Sequence, residues 1–374
     1  MIPDTPRPFY HRLSHSLLSL AIITAAIYFG QDILVPLALS GLLAVLLRPV
    51  ENWFIRRGMH KVMAILMAVA LAITVVAGIT FMLSVQLSEF TDDLPRLKQS
   101  FNDVYRNVRR WIRREYNLTY SQQEQYLKKA QAQTLESLQG AETLGMITGP
   151  LGTLLLMPFY VFLLLYYRTM LLNFLIALFA KQHFKRVREV LGQVKSIIQS
   201  YMVGLLIETA SVAALNSIGL LLLGVEYAIL MSVVAAILNL IPYIGGIVAT
   251  FMAVAVTLIN HQDVGTLLGV LGVFIVVQII DNNLLVPLIV ASKVRINALV
   301  SIIGVLVGGA LAGVAGMFLS IPAIAIMKAI FDRVEGLEPW GLLLGDETPE
   351  ENRPGLFRLN RRRIRIKEEG SNSE

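Results

Sequence analysis

The chain has 374 residues, 55% of them hydrophobic and 16% charged, with a mean hydropathy of +0.65, a formal net charge of +6 and no cysteine. Charge so far below the roughly 25% of soluble domains excludes an ordinary soluble domain, and the missing thiols exclude a disulfide framework and a thiolate metal site. The excess of Lys and Arg sits in short loops and in the tail, where it reads as membrane topology and surface attraction rather than nucleic-acid binding.

Residues 1–12 form a polar, basic start, expected in the cytoplasm. Apolar segments at 13–29 and 33–47 follow almost without a gap and without a small-x-small cleavage site, so they predict a retained helical hairpin rather than a signal peptide. Arg48, Arg56, Arg57 and Lys61 then mark the cytoplasmic side by the positive-inside rule. A charge-free span at 62–85 completes a first unit of three transmembrane helices, 13–85.

Residues 86–147 predict an extracytoplasmic helical arm. Leu87, Phe90, Leu94, Leu97, Phe101, Val104, Val108 and Trp111 alternate three- and four-residue spacings, a heptad seam continuing from the preceding span. A turn near Asn117 leads to a return helix with a thinner apolar face, leaving seam for either an intrachain hairpin or neighbouring subunits.

Residues 148–335 predict the transport core. A span at 144–167 returns the chain to a second basic cluster, Arg168, Lys181, Lys185, Arg186, Arg188 and Lys195. Spans at 201–225, 227–260, 264–292 and 296–327 follow. The total is an all-α membrane protein of about eight transmembrane helices, some broken, with both termini cytoplasmic. Beyond 336 the composition predicts a disordered tail whose Arg358, Arg361, Arg362, Arg363, Arg365 and Lys367 are suited to anionic headgroups or to a plain topogenic role.

Chemistry is expected where the core is interrupted. As one helix, 227–260 would be about 50 Å long against about 30 Å of hydrocarbon. Pro242, Gly245 and Gly246 break it at depth, which is tolerated only against protein or a water-filled cavity. Asn239 could satisfy backbone groups freed at that break, and Tyr243 could line a cavity. Asp281-Asn282-Asn283 ahead of Pro287 predicts a second break. An acid in a span is costly and seldom idle, so Asp281 is a candidate for a proton or cation, with Asn282 and Asn283 as hydrogen-bonding partners of a polar solute. Glu208 is a candidate coupling acid, and Asn216 lies loosely toward the same face. The two breaks, Asn239 to Pro242 and Asn283 to Pro287, resemble each other and suggest paired interrupted segments. Gly304, Gly308, Gly309 and Gly313 permit close helix packing in the last span, which Pro322 is expected to interrupt. No phosphate-cradling Gly-x-x-x-x-Gly-Lys loop and no hydrolase or metalloprotease spacing is present, so neither ATP-driven transport by this chain alone, an enzymatic reaction, a metal nor a cofactor is expected.

These motifs carry a resemblance. Leu222-Leu223-Gly224-Val225, then Asn239-Leu240-Ile241-Pro242-Tyr243-Ile244-Gly245, Asp281-Asn282 with Pro287, and the Gly-rich stretch from Gly304 to Gly316 resemble, in this order, the autoinducer-2 exporter family of bacterial membrane transporters. The likeness covers about 13–335. It implies eight membrane helices, a homo-oligomer (a pentamer), and secondary transport of a small polar solute across the inner membrane. Family members are associated with autoinducer-2 export and others with sodium or lithium/proton antiport, so a proton or sodium ion is the implied coupling partner. Many relatives carry Arg before the proline where this chain has Val286, and Gly-Pro where it has Ile321-Pro322. A third reading, a non-transporting membrane scaffold organised by the arm, predicts that the arm matters and Asp281 does not.

Overall fold

The computed structural model describes residues 9–92, 106, 145–179, 181–241, 245–260, 264–291, 296–334 and 336–345. Apart from residue 106, the arm from 93 to 144 lies outside the described residues, as do Pro242, Tyr243 and the basic tail cluster. The described residues form helices joined by turns, with no strand among them, as expected of an all-α membrane protein.

The first helix, α1 (Phe9–Arg56), is continuous over 48 residues and replaces the expected hairpin. Gly30-Gln31-Asp32, polar enough to resemble a turn, keeps the helical path, and Gly30 has no positive φ. A helix satisfies its own backbone, so a polar step within an apolar run does not by itself open it. The first reversal comes instead at Gly58, with φ of 88°, and leads into α2 (Lys61–Asp92). The first unit therefore has two helices where three were expected.

The chain resumes in α3 (Gly145–Tyr166), which bends by 64° into the short α4 (Arg168–Ala177). After a 3-10 turn comes α5 (Phe184–Leu222), the spine of the second half. Gly224, at φ 68°, and Tyr227, at φ 58°, reverse it into α6 (Ala228–Asn239), whose first turn receives Gln86 Oε1 of α2 as acceptor for Leu230 N at 2.8 Å. Across the break lies α7 (Gly245–Asn260) and then α8 (Val264–Ile280).

Two interruptions differ from expectation. At Asp281–Ala291 the chain does not break but winds on from α8 as a π-helix with Pro287 inside it. Wider winding accommodates a residue that lacks an N–H and whose ring would strike the carbonyl four residues back in an α-helix. The two breaks are therefore unlike: one is a turn, the other a change of winding. The last apolar segment, α9 (Ala298–Phe331), is not one straight span. Ala312 and Gly313 leave helical geometry, Gly313 at φ 59°, and residues 298–311 and 314–331 fold against each other. Ser320 Oγ donates to Gly304 O at 2.8 Å, sixteen residues away in sequence. A Cβ on Gly308 or Gly316 would collide with the opposite arm's backbone, so the glycines serve this self-packing. Pro322 stays within the second arm rather than ending it. Beyond the expected boundary at 336, α10 (Glu338–Leu344) packs on α9, with Leu344 O accepting from Asn297 N at 3.0 Å.

By length and composition, five described helices can cross a membrane, or six with the bent α3–α4 pair counted. The interior divides in two. Ala44, Leu47, Ile65, Val69, Val161 and Leu165 knit α1, α2 and α3. Leu220, Ala228, Ala235, Ala253, Val270 and Phe274 knit α5 to α8. Tyr201, Met202 and Leu205 of α5 join Leu42 of α1 and Phe318 of α9 between them.

Candidate transport site

At the end of α6 the backbone tightens rather than opens. Leu240 N donates to Ile237 O at 3.1 Å and Ile241 N to Leu238 O at 3.0 Å, and Gly245 N then reaches Ile241 O at 3.0 Å. A side chain on Gly245 would collide with Leu238 O, so glycine lets α7 start this close to the end of α6. The side chain of Asn239 does not turn back on these bonds. It crosses to the π segment, where Nδ2 donates to Asp281 Oδ2 at 3.1 Å. Asn239 thus serves an acid rather than the freed backbone expected for it.

Asp281 is only 3% exposed, and its Oδ1 has no hydrogen-bond partner. Glu208, on α5, is 7% exposed. Both face one cavity of about 960 Å³, with Tyr201 seven residues before Glu208 on the same helix face. Neither acid forms an ion pair among the described residues. Asn282 lines the same cavity and accepts from Gln278 Nε2 at 3.2 Å. Gly246 leaves room for this pair: a Cβ there would lie 2.5 Å from Gln278 Oε1 and 3.5 Å from Asn239 Oδ1. Thr250, Phe251, Phe274 and Ile275 complete the wall.

Behind the acid lies a second, much smaller space of about 10 Å³, bordered by Asn216, Asn239, Gln278 and Asp281. Asn216 is 2% exposed and its Oδ1, like that of Asp281, is unpartnered. That volume corresponds to roughly one water-sized probe, and two unsatisfied oxygens border it.

The structure therefore brings together Glu208, Asn239, Asp281, Asn282 and Gly246. It does not bring in Asn283, whose amide folds back on its own helix to Ile279 O at 2.9 Å. The glycines of α9 pack that helix on itself, away from the cavity lining, although Ile321 reaches it. Gln278, Thr250 and Tyr201 are additions. Gln278 was legible as the residue one helical turn before Asn282, and Tyr201 as the polar ring one heptad before Glu208. Chemically, the arrangement offers two acids that can each take a proton or face a cation, and neutral amides that can hydrogen-bond hydroxyl groups. Among the described residues, no group of three or more His, Cys, Asp or Glu forms a metal site.

Residues 17–336 match the family model described as AI-2E family transporter. The chain belongs to the AI-2E transporter family. It is 26% identical over 357 residues to the candidate transport protein YhhT of Escherichia coli strain K12, covering 94% of this chain and all of the relative. It is 25% identical over 336 residues to the AI-2 transport protein TqsA of the same organism, covering 88% and 94%. It is 23% identical over 330 residues to the candidate transport protein YrrI of Bacillus subtilis strain 168, covering 83% and 92%. Membership of the AI-2E family, together with several membrane-length apolar helices, makes this a multi-pass membrane transporter.

Proposed function

We propose that this AI-2E family member is a secondary transporter of the bacterial inner membrane that exports a small polar solute by alternating access, with Asp281 as its principal site and Glu208 as its coupling acid. The observation that carries the reading is the placement of these two acids, buried and without an ion pair among the described residues, on one cavity among membrane-spanning helices. An acid at the centre of a spanning helix costs roughly 2.5–3.5 kcal/mol, a cost without return unless something positive arrives. A proton or sodium ion on Glu208 or Asp281 supplies it. The amides of Asn239, Gln278 and Asn282 then meet the hydroxyls of the solute, and the name of TqsA makes autoinducer-2 the first solute to try. A cavity of about 960 Å³ is at the upper end of the roughly 300–1,000 Å³ of small-molecule sites, which favours a solute over a bare ion in a sodium or lithium/proton antiporter.

Flux in proteoliposomes tests this. Autoinducer-2 and sodium are followed separately, with and without imposed proton and sodium gradients, for wild type and Asp281→Asn. Gradient-driven solute flux that is lost in the variant supports the proposal. Sodium flux alone selects the antiporter. Solute flux unchanged by the substitution moves the site away from Asp281. No flux from folded protein supports the scaffold.

A further inference from the structure

A second cavity, of about 510 Å³, lies where the ends of α1, α3, α4 and α5 meet. It is separate from the acidic cavity: Lys195 at its rim precedes Glu208 by about 20 Å of helix at 1.5 Å per residue. Its floor is apolar, built from Leu164, Leu172, Ile176 and Leu191. Its rim is cationic, built from Arg48, Arg168, Arg188 and Lys195, and no acid lines it. Arg48 is engaged by Glu51. Arg168, Arg188 and Lys195 form no ion pair among the described residues, so three positive charges stand over an apolar groove.

Three features say why the groove exists and what it faces. Gly41 of α1 and Gly192 of α5 both line it, and a Cβ on either would meet nothing within 4 Å, so the helices stand apart here. The 64° bend turns α4 away from the path of α3, and α4 exposes Met170, Leu171, Phe174 and Leu175, an apolar surface suited to a membrane interface. Lys61, at the start of α2, donates to Tyr166 O at the end of α3 at 2.9 Å, and Arg168 of α4 follows two residues on. By the positive-inside rule this basic side is cytoplasmic, and the cytoplasmic leaflet is the anionic one.

We propose that this groove is a binding site for an anionic phospholipid, its headgroup phosphate held by Arg168, Arg188 and Lys195 and an acyl chain lying in the gap beside Gly41 and Gly192. Cationic pockets between spanning helices suit acidic headgroups, and the apolar floor distinguishes a lipid from a free anion. The site is independent of the transport reading.

The experiment uses the full chain in liposomes containing phosphatidylglycerol or phosphatidylcholine that carries a photoreactive diazirine on the acyl chain, with labelled peptides mapped by mass spectrometry. Phosphatidylglycerol is expected to label the segments around Leu172 and Leu191 more strongly than phosphatidylcholine, by about fivefold for each cation engaged. Charge removal in the triple variant R168Q/R188Q/K195Q is expected to bring labelling down to the phosphatidylcholine level. Gly192→Phe, which keeps every charge and fills the gap, is expected to lower it as well. Unchanged elution and thermal unfolding identify variants that fold. Equal labelling by the two lipids overturns the proposal, as does labelling that neither variant reduces. A cross-link from the groove to a second copy of the chain, in place of lipid, overturns it too.

Discussion

In the bundle of α1, α2 and α3, Glu51 is fully buried and bonded to Arg48, three residues earlier on the same helix. In the bundle of α5 to α8, Asp281 is nearly as buried, but the group that bonds it is the neutral amide of Asn239. Each acid keeps one oxygen without a partner. The difference lies in charge and in space. Glu51 is neutralised within its own helix beside a packed apolar cluster, whereas Asp281 shares a cavity with a second unpaired acid. The first arrangement fits a structural acid that is finished when the protein folds. The second fits the proposed role of an acid that takes up and releases a positive charge.

The strongest way to sharpen this contrast is to break the closed pair. Arg48→Met leaves Glu51 buried without its cation and is expected to cost about 3–5 kcal/mol, read as a lowered unfolding midpoint in detergent. Replacing both residues with apolar ones of similar size is expected to restore most of it. Asp281→Asn should behave oppositely, with little effect on the midpoint but a loss of coupled flux of at least about tenfold, or about 1.4 kcal/mol. If Asp281→Asn destabilised as Arg48→Met does, the two acids would be alike and the contrast would fail.

Packing gives smaller effects. Gly308→Ala forces a methyl into the carbonyl of Gly316 and Ser320 Oγ and should cost about 1–3 kcal/mol by the same midpoint measurement. Ser320→Ala removes the tie to Gly304 O and should cost about 1 kcal/mol. Gly192→Ala, in open space within a helix, should raise the midpoint slightly, by about 0.5–1 kcal/mol.

Much of this was legible in the sequence, and the exceptions have physical reasons. Glu208, Asn239 and Asp281 stood out because acids and amides are expensive in apolar helices, and all three meet at one cavity. The hairpin expected around Gly30 and the single span expected through Gly313, with its interruption at Pro322, differ from the structure in opposite directions. Hydropathy registers Gln31 and Asp32 as an interruption although the backbone there stays hydrogen-bonded, and it registers nothing at Gly313, where a positive φ turns the chain. Side-chain identity likewise does not reveal winding: Pro287 suggests a break, but a π-helix absorbs it and turns Asn283 away from the cavity that Asn282 lines. Gln278 was missed because it acts through Asn282 one turn away, and Tyr201 because a tyrosine in an apolar helix reads as core packing.

The most direct test of an open acidic cavity beside a closed apolar core uses the absence of native cysteine. Single substitutions Asn282→Cys, on the cavity, and Ile65→Cys, fully buried in the α1–α3 core, are treated with a charged, membrane-impermeant thiol reagent from either side of the membrane. Rapid modification of the first, slowed by the transported solute or coupling ion, and none of the second is expected. Equal resistance of both positions would contradict an open acidic cavity.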